Sequence, residues 1–249
     1  MVQSAFIPDT KTLSALFIAK AGLGKTIKLE HLRKLKFVYY TVDITPKHLI
    51  QFFEKVNRGE KKFLVIPDYI TTMGHAKKTK DLLRGHLRAM MEEGVKDSDA
   101  YGVEYHFDKI IKAGIISAIT PEYFEGSSRI WKADGFLSRL IPFSYSHSSE
   151  TQELVLTNIR DKVNPISEFD FTIKRKVSKC PTRDREADLE IRNIALEMAE
   201  GNPPYRPYQQ VLALCNSSAV LRDSNKIEQK DINLIRSMLI FVNRKQNPI

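Results

Sequence analysis

The sequence predicts an α/β fold, a mainly parallel sheet between helices, followed by a small all-helical domain. Three observations carry this expectation. Short, predominantly apolar runs recur at residues 13–18, 63–66 and 115–119, as in strands covered on both faces. Helical patterns separate those runs, the alternation that builds parallel sheets. From residue 185 onward, three helical patterns follow one another with only turn residues between them. A chain of 249 residues is one large domain or a core with an appendage, and can bury a core without disulfide or metal staples.

Each element has its own signal. The run LSALFI at residues 13–18 reads as a buried strand and leads into a glycine-rich turn. Residues 26–34 then have helical spacing, with Ile27, Leu29 and Leu32 apolar. Residues 37–42, β-branched and aromatic, read as a second strand. Thr45-Pro46 is a helix start, the threonine capping and the proline at the first helical position. That helix continues to Val56 and stops at Asn57 and Gly59. The third strand is residues 63–66, and residues 77–93 form a long helix ending at Gly94. A turn-rich stretch at 96–102 followed by residues 105–112 reads as a hairpin. Residues 115–119 are another buried strand, 136–139 a short helix and 141–145 a strand.

Beyond Ser146 the character changes. Residues 147–150 are polar, and residues 163–183 are irregular and basic, with Lys174-Arg175-Lys176 among them. The expected organisation is a core at 1–150, a linker at 151–184 and a helical domain at 185–249. Its helices are expected at 187–199, 207–221 and 229–242, separated by Gly201-Asn202-Pro203-Pro204 and by Asp223-Ser224-Asn225.

Composition excludes several classes. The longest apolar runs are far short of the roughly 20 residues a membrane span needs. Asp9 sits ahead of the first apolar run, unlike a secretory signal. The two cysteines, Cys180 and Cys215, make no disulfide framework, so a reducing, cytoplasmic setting is expected. Lys and Arg number 39 against 30 Asp and Glu, a formal charge of +9, which favours a phosphate-bearing partner without identifying it.

The sharpest motif is Ala19-Lys20-Ala21-Gly22-Leu23-Gly24-Lys25-Thr26. It fits the phosphate loop G-x-x-x-x-G-K-[ST] between a strand and a helix, except that Ala19 replaces the first glycine. Ala21, Gly22, Leu23 and Gly24 would turn backbone N–H groups toward one anion, and a helix N-terminus would add its dipole. Lys25 would reach the β- and γ-phosphates of ATP, and Thr26 would ligate Mg²⁺ through its hydroxyl. Ala19 requires a negative φ at its own position. An acid is also needed near the metal. The strand at 63–66 ends at Pro67-Asp68-Tyr69, which offers Asp68 alone. Either Asp68 takes the metal role and Tyr69 stands in the base position, or Pro67 replaces a first acid and Asp68 is the base. A strand-end aspartate capping a turn is the structural alternative.

With these residues in hand, the chain resembles an AAA+ ATPase of the minichromosome maintenance helicase type, a group with helicase-like relatives in viruses and mobile elements. The segment Leu87-Arg88-Ala89-Met90-Met91-Glu92-Glu93-Gly94 is similar to the helix that carries a Met-Glu pair at that family's subunit interface. Ile111-Lys112-Ala113-Gly114-Ile115 is similar to its "AKAGI" strand entry, and Phe136-Leu137-Ser138-Arg139-Leu140 to its "LLSRF". The resemblance implies an AAA+ core with a helical lid, ATP and Mg²⁺ as cofactors, and a homo-oligomeric ring, such as a hexamer, acting on DNA. It implies that Thr120, where the family keeps an asparagine, orients the attacking water. Arg139 would project into the neighbouring subunit's nucleotide site, and Arg206, at the start of a lid helix, would be a second arginine sensor. Tyr105, His106 and Lys109 lie where the family inserts a nucleic-acid-gripping hairpin. A hairpin packed by its own aromatics is the alternative there. Beside a DNA motor, the pattern admits a nucleotide-gated helicase loader or scaffold with weak hydrolysis, and a remodeller of protein substrates.

Overall fold

The computed structural model describes residues 1–100, 103–163, 173–174 and 176–242. Among them, five parallel strands form one sheet in the order β2-β3-β6-β1-β7. These are β1 (Ala15–Ile18), β2 (Val38–Tyr40), β3 (Phe63–Ile66), β6 (Gly114–Ile119) and β7 (Ile141–Ser144). The remaining strands, β4 (Val95–Ala100) and β5 (Val103–Ile111), form the expected antiparallel hairpin outside that sheet.

Side-chain alternation assigns every helix to a face. Leu16, Ile18, Leu64, Ile66, Ile115 and Ile119 pack beneath α2 (Pro46–Asn57), α4 (Lys77–Met91) and α5 (Pro121–Ala133). The opposite face carries Phe63, Val65, Ile116 and Ala118 against Leu29 and Leu32 of α1 (Lys25–Glu30) and the 3-10 turn His31–Lys34 that continues it. Thus the connection from β1 runs toward the β2 edge on one face, while those from β2, β3 and β6 return on the other. Right-handed crossovers require this separation when direction reverses.

Three further helices pack on the same face as α1, over β1 and β7. Helices α7 (Arg185–Ala199), α8 (Tyr205–Leu221) and α9 (Gln229–Leu239) bury Ile191, Ile194, Val211, Leu214 and Ile235 in one cluster with Leu13, Ala15, Ile141 and Phe143. The rings of Phe17 and Phe143 stack at 5.7 Å across β1 and β7 in the same region.

Local chemistry explains the boundaries. Thr45 caps α2 by accepting from the His48 N–H, with Pro46 inside the first turn. The helix expected over residues 26–34 is α-helical only to Glu30. Two helices arise where none is expected. Thr120 precedes Pro121 at the start of α5, which buries Phe124 and Trp131. In the expected linker, α6 (Ser149–Arg160) is capped by Ser148 and has no buried residue. A four-residue turn, α3 (Ile70–Met73), follows Asp68 and Tyr69. Much of the basic stretch at 163–183, including 164–172 and Arg175, lies outside the described residues.

Candidate nucleotide site

Adjacent parallel strands whose connections leave on opposite faces frame a crevice at their carboxyl ends. Here β1 and β6 are such a pair, joined in register from Ala15–Ile116 to Ile18–Ile119. The phosphate-loop segment leaves β1 into that crevice, and the Ala19 N–H donates to the Ile119 carbonyl at 3.3 Å. Gly22 and Gly24 adopt φ of 82° and 72°, conformations natural only to glycine. Ala19 is not among the residues with positive φ, so the substituted first glycine is accommodated without strain.

The loop suits a polyphosphate. Gly24 is the N-cap of α1 and supplies no side chain, so its first-turn amides carry no intrachain cap. A Cβ built on Gly22 or Gly24 would meet no atom within 4 Å. Thr26 is exposed, and among the described residues its hydroxyl has no hydrogen-bond partner. Lys25 donates from Nζ to the Ala19 and Lys20 carbonyls at 2.5 and 2.8 Å. Partial burial pushes its pKa down, while Asp68 and then Glu122 pull it back up. Behind the loop, Tyr145 donates its hydroxyl to the Leu23 carbonyl at 3.3 Å, and Lys28 lies 3.9 Å from its ring centroid. Burial pushes the Tyr145 phenol up to about 12.

Asp68 lies at the carboxyl end of β3, next to β6, and its Oδ1 accepts from the Ile70 N–H at 3.0 Å. It therefore does cap a turn, yet its charge reaches Lys25. Tyr69 turns away from the loop. Its side chain is 3% exposed, stacked on Phe136 and edge-on to Trp131, and burial pushes its phenol far up. Tyr69 is a core residue facing away from the loop, so it supplies no base there, whichever role Asp68 takes.

Thr120 is the N-cap of α5. Its hydroxyl lies beside the carboxylate of Glu122, a residue the sequence reading overlooked. The backbone N–H of Glu122 and then the Thr120 hydroxyl hold that carboxyl below the usual range, with Lys20 and Lys25 assisting. The site thus has two carboxylates near Lys25, Asp68 and Glu122. Among the described residues no group of three His, Cys, Asp or Glu side chains gathers as a metal cage. A metal at this loop would rest on Thr26, one carboxylate and the phosphates themselves.

Arg139 and Arg206 are not brought to this loop. Arg139 precedes β7, which runs parallel to β1 with Ile141 opposite Ala15, so it lies at the amino end of the sheet. It is 7% exposed, donates to Glu93 at 2.9 Å and to the Gly135 carbonyl at 2.6 Å, and its Nε has no hydrogen-bond partner. Arg206, in the first turn of α8, meets Glu92 at 3.3 Å. Lys11 binds the same Glu92 oxygen at 2.7 Å. Glu92 is thus the common counter-ion of Lys11, Arg206 and, at 3.8 Å, Arg139. A cleft of about 810 Å³ opens beside this cluster, between Asp134, Ser138 and Arg139 on one wall and Met198, Tyr205 and Arg206 on the other.

Two of the three hairpin residues, Tyr105 and His106, have partners within the chain. Tyr105 packs edge-on to Phe53 at 5.2 Å, stacks on Phe107 and bonds His86 at 3.0 Å. His106 pairs with Asp97. The hairpin exposes Asp97, Asp99, Glu104 and Asp108 against Lys96 and Lys109, so its surface is acidic. Tyr105 is thus packed by its aromatic neighbours, as the packed-aromatic alternative has it, while His106 and Lys109 are exposed. Arg84 and Arg88 tie α4 to Asp134, through its carboxylate and its carbonyl respectively, at 2.6 Å each.

No family model matches the chain, and no curated protein matches its sequence.

Proposed function

We propose that the chain is an AAA+-type ATPase subunit that binds ATP and Mg²⁺ at Ala21–Thr26 and works on DNA as a ring-forming homo-oligomer of the helicase or replication type. The observation that carries the reading is the phosphate-loop sequence opening into the crevice of β1 and β6, with the charges of Asp68, after β3, and Glu122, at the start of α5, reaching Lys25. Helices α7–α9 take the part of the lid.

In this reading Lys25 exchanges its loop carbonyls for phosphate oxygens, and the Gly22–Thr26 amides hold the same group. Thr26 and Asp68 hold Mg²⁺, which when bound withdraws charge from the phosphoryl oxygens. Thr120 and Glu122, both facing the loop, orient the attacking water and accept its proton. β1 alone spans roughly 13 Å, so Arg139 and Arg206 serve a neighbouring subunit's nucleotide rather than their own. For that, Arg139 must leave Glu93.

Titration calorimetry with ATP and Mg²⁺ tests the loop directly. The Lys25→Ala variant is expected to lose binding while keeping its helical circular dichroism; retained affinity removes the assignment. Phosphate release, measured with and without single-stranded DNA over a range of protein concentration, tests the motor. The Arg139→Ala variant is expected to bind ATP without turnover, and mixing it with the Lys25→Ala variant is expected to restore part of the activity.

A second reading is a nucleotide-gated loader or scaffold. It is favoured by Tyr69 lying in the core, which leaves the β3 end with a single carboxylate already bonded to Ile70. It predicts ATP binding with no appreciable phosphate release under any of these conditions.

A further inference from the structure

The chain's positive charge has to sit somewhere, and the hairpin expected to use it is acidic. It gathers instead at the free edge of the sheet. Among the described residues β2 pairs only with β3, and no strand lies on its other side. Around that edge stand Arg33, Lys34 and Lys36 on the segment entering β2, Lys55 on α2, and Lys61 and Lys62 on the segment entering β3. Among the described residues, none of these six forms an ion pair. The carboxylates nearest in sequence, Glu54 and Glu60, are taken by Arg58 at 3.5 and 3.8 Å.

The edge carries aromatic rings as well as charge. Tyr39 and Tyr40 are half-buried and point to opposite faces. Lys55 lies 5.0 Å from the Tyr39 ring and Arg33 lies 5.3 Å from the Tyr40 ring. Between them, Lys61 donates to the Lys36 and Val38 carbonyls at 2.7 and 2.9 Å. Those are acceptors an added strand would need, so the lysine blocks β-augmentation. Burial, and then repulsion from Lys55, pushes the Lys61 ammonium pKa down. The carboxylates whose charges reach this edge are Glu60, beside Lys61, and Glu30, near Tyr40.

We propose that the β2 edge is a binding surface for single-stranded nucleic acid, with Arg33, Lys34, Lys36, Lys55 and Lys62 contacting phosphates and Tyr39 and Tyr40, packed on one side by the core, offering only their exposed edges to unpaired bases. A short, two-faced ridge with rings beside its cations suits a flexible strand whose bases are free to stack. A duplex keeps its bases inside. This surface gives the DNA-directed part of the proposed function a location, and it does not depend on the nucleotide loop.

Fluorescence anisotropy with a labelled oligothymidylate, without ATP, tests it on the full chain. The Lys34→Glu/Lys36→Glu variant, changed at exposed positions, is expected to bind about ten-fold or more weakly at low salt. Its plot of log affinity against log salt is expected to flatten by about 1.4, the loss of two phosphate contacts. A variant of equal charge change on the hairpin, Lys96→Glu/Lys109→Glu, is expected to bind as the wild type does. The milder Lys55→Gln/Lys62→Gln variant, checked by thermal melting, is expected to follow the first. The Lys25→Ala variant is expected to keep its affinity for the oligonucleotide, which separates this proposal from the nucleotide reading. Unchanged binding by both edge variants, equal loss in the hairpin variant, or tighter binding of duplex than of single strand would overturn it.

Discussion

Asp231 carries its charge with no exposed surface at all. Burial alone would raise its pKa. That tendency is outweighed by Arg222, which donates at 2.5 and 2.9 Å, by the Ser218 hydroxyl at 2.6 Å and by the Glu228 N–H at 2.9 Å. The net effect is a lowered pKa. A carboxyl held below its unfolded value stabilises the fold above the ordinary carboxylate range, and that contribution disappears as pH falls through the folded value. Asp188, lowered by Arg183 and then Tyr208, acts with the same sign. The urea midpoint is therefore expected to fall steeply below about pH 4. The Asp231→Asn variant is expected to lose on the order of 3 kcal/mol at neutral pH and to flatten that acid limb. Glu92 differs, because its role is to separate three cations. Replacing it by Gln leaves Lys11, Arg139 and Arg206 facing one another, with an expected loss of about 2 kcal/mol in the unfolding free energy from urea titration.

Whole elements depend on single close approaches. At the entry to β6, a Cβ on Gly114 would stand 2.5 Å from the Leu13 carbonyl and 2.4 Å from the Phe63 ring. The glycine in Ala113-Gly114-Ile115 thus permits β1, β3 and β6 to meet. The Gly114→Ala variant is expected to destabilise by about 1–3 kcal/mol in thermal melts, since the obstruction is partly backbone. The legibility of elements followed their chemistry. β3 is apolar at every position and α2 begins with Thr-Pro, so both stood out. In α5, Gly126-Ser127-Ser128 interrupt the helical signal, and the helix is held by burial of Phe124 and Trp131 rather than by propensity. Missing α5 meant missing Glu122, whose place in the site comes from that helix's first turn. No side chain of α6 is buried, so no apolar period announced it.

At the scale of the molecule, sequence spacing located the phosphate loop because its chemistry is local. It did not locate the two arginines, whose partners Glu92 and Glu93 come from a distant part of the chain. The expected division at residues 151–184 also hid a shared core: α7–α9 bury their apolar face on Leu13, Ala15, Ile141 and Phe143. Sheet and helices are accordingly expected to melt together, with calorimetric and van't Hoff enthalpies equal. Two resolved transitions would contradict the shared core.

Lys25 and Arg139 stand at opposite poles of the same sheet, and this restricts how copies of the chain can cooperate. A two-fold dimer brings like surface against like, so it would confront loop with loop or arginine with arginine. Joining one pole to the other demands a heterologous, head-to-tail contact, and repetition of such a contact either closes on itself or grows into a helix.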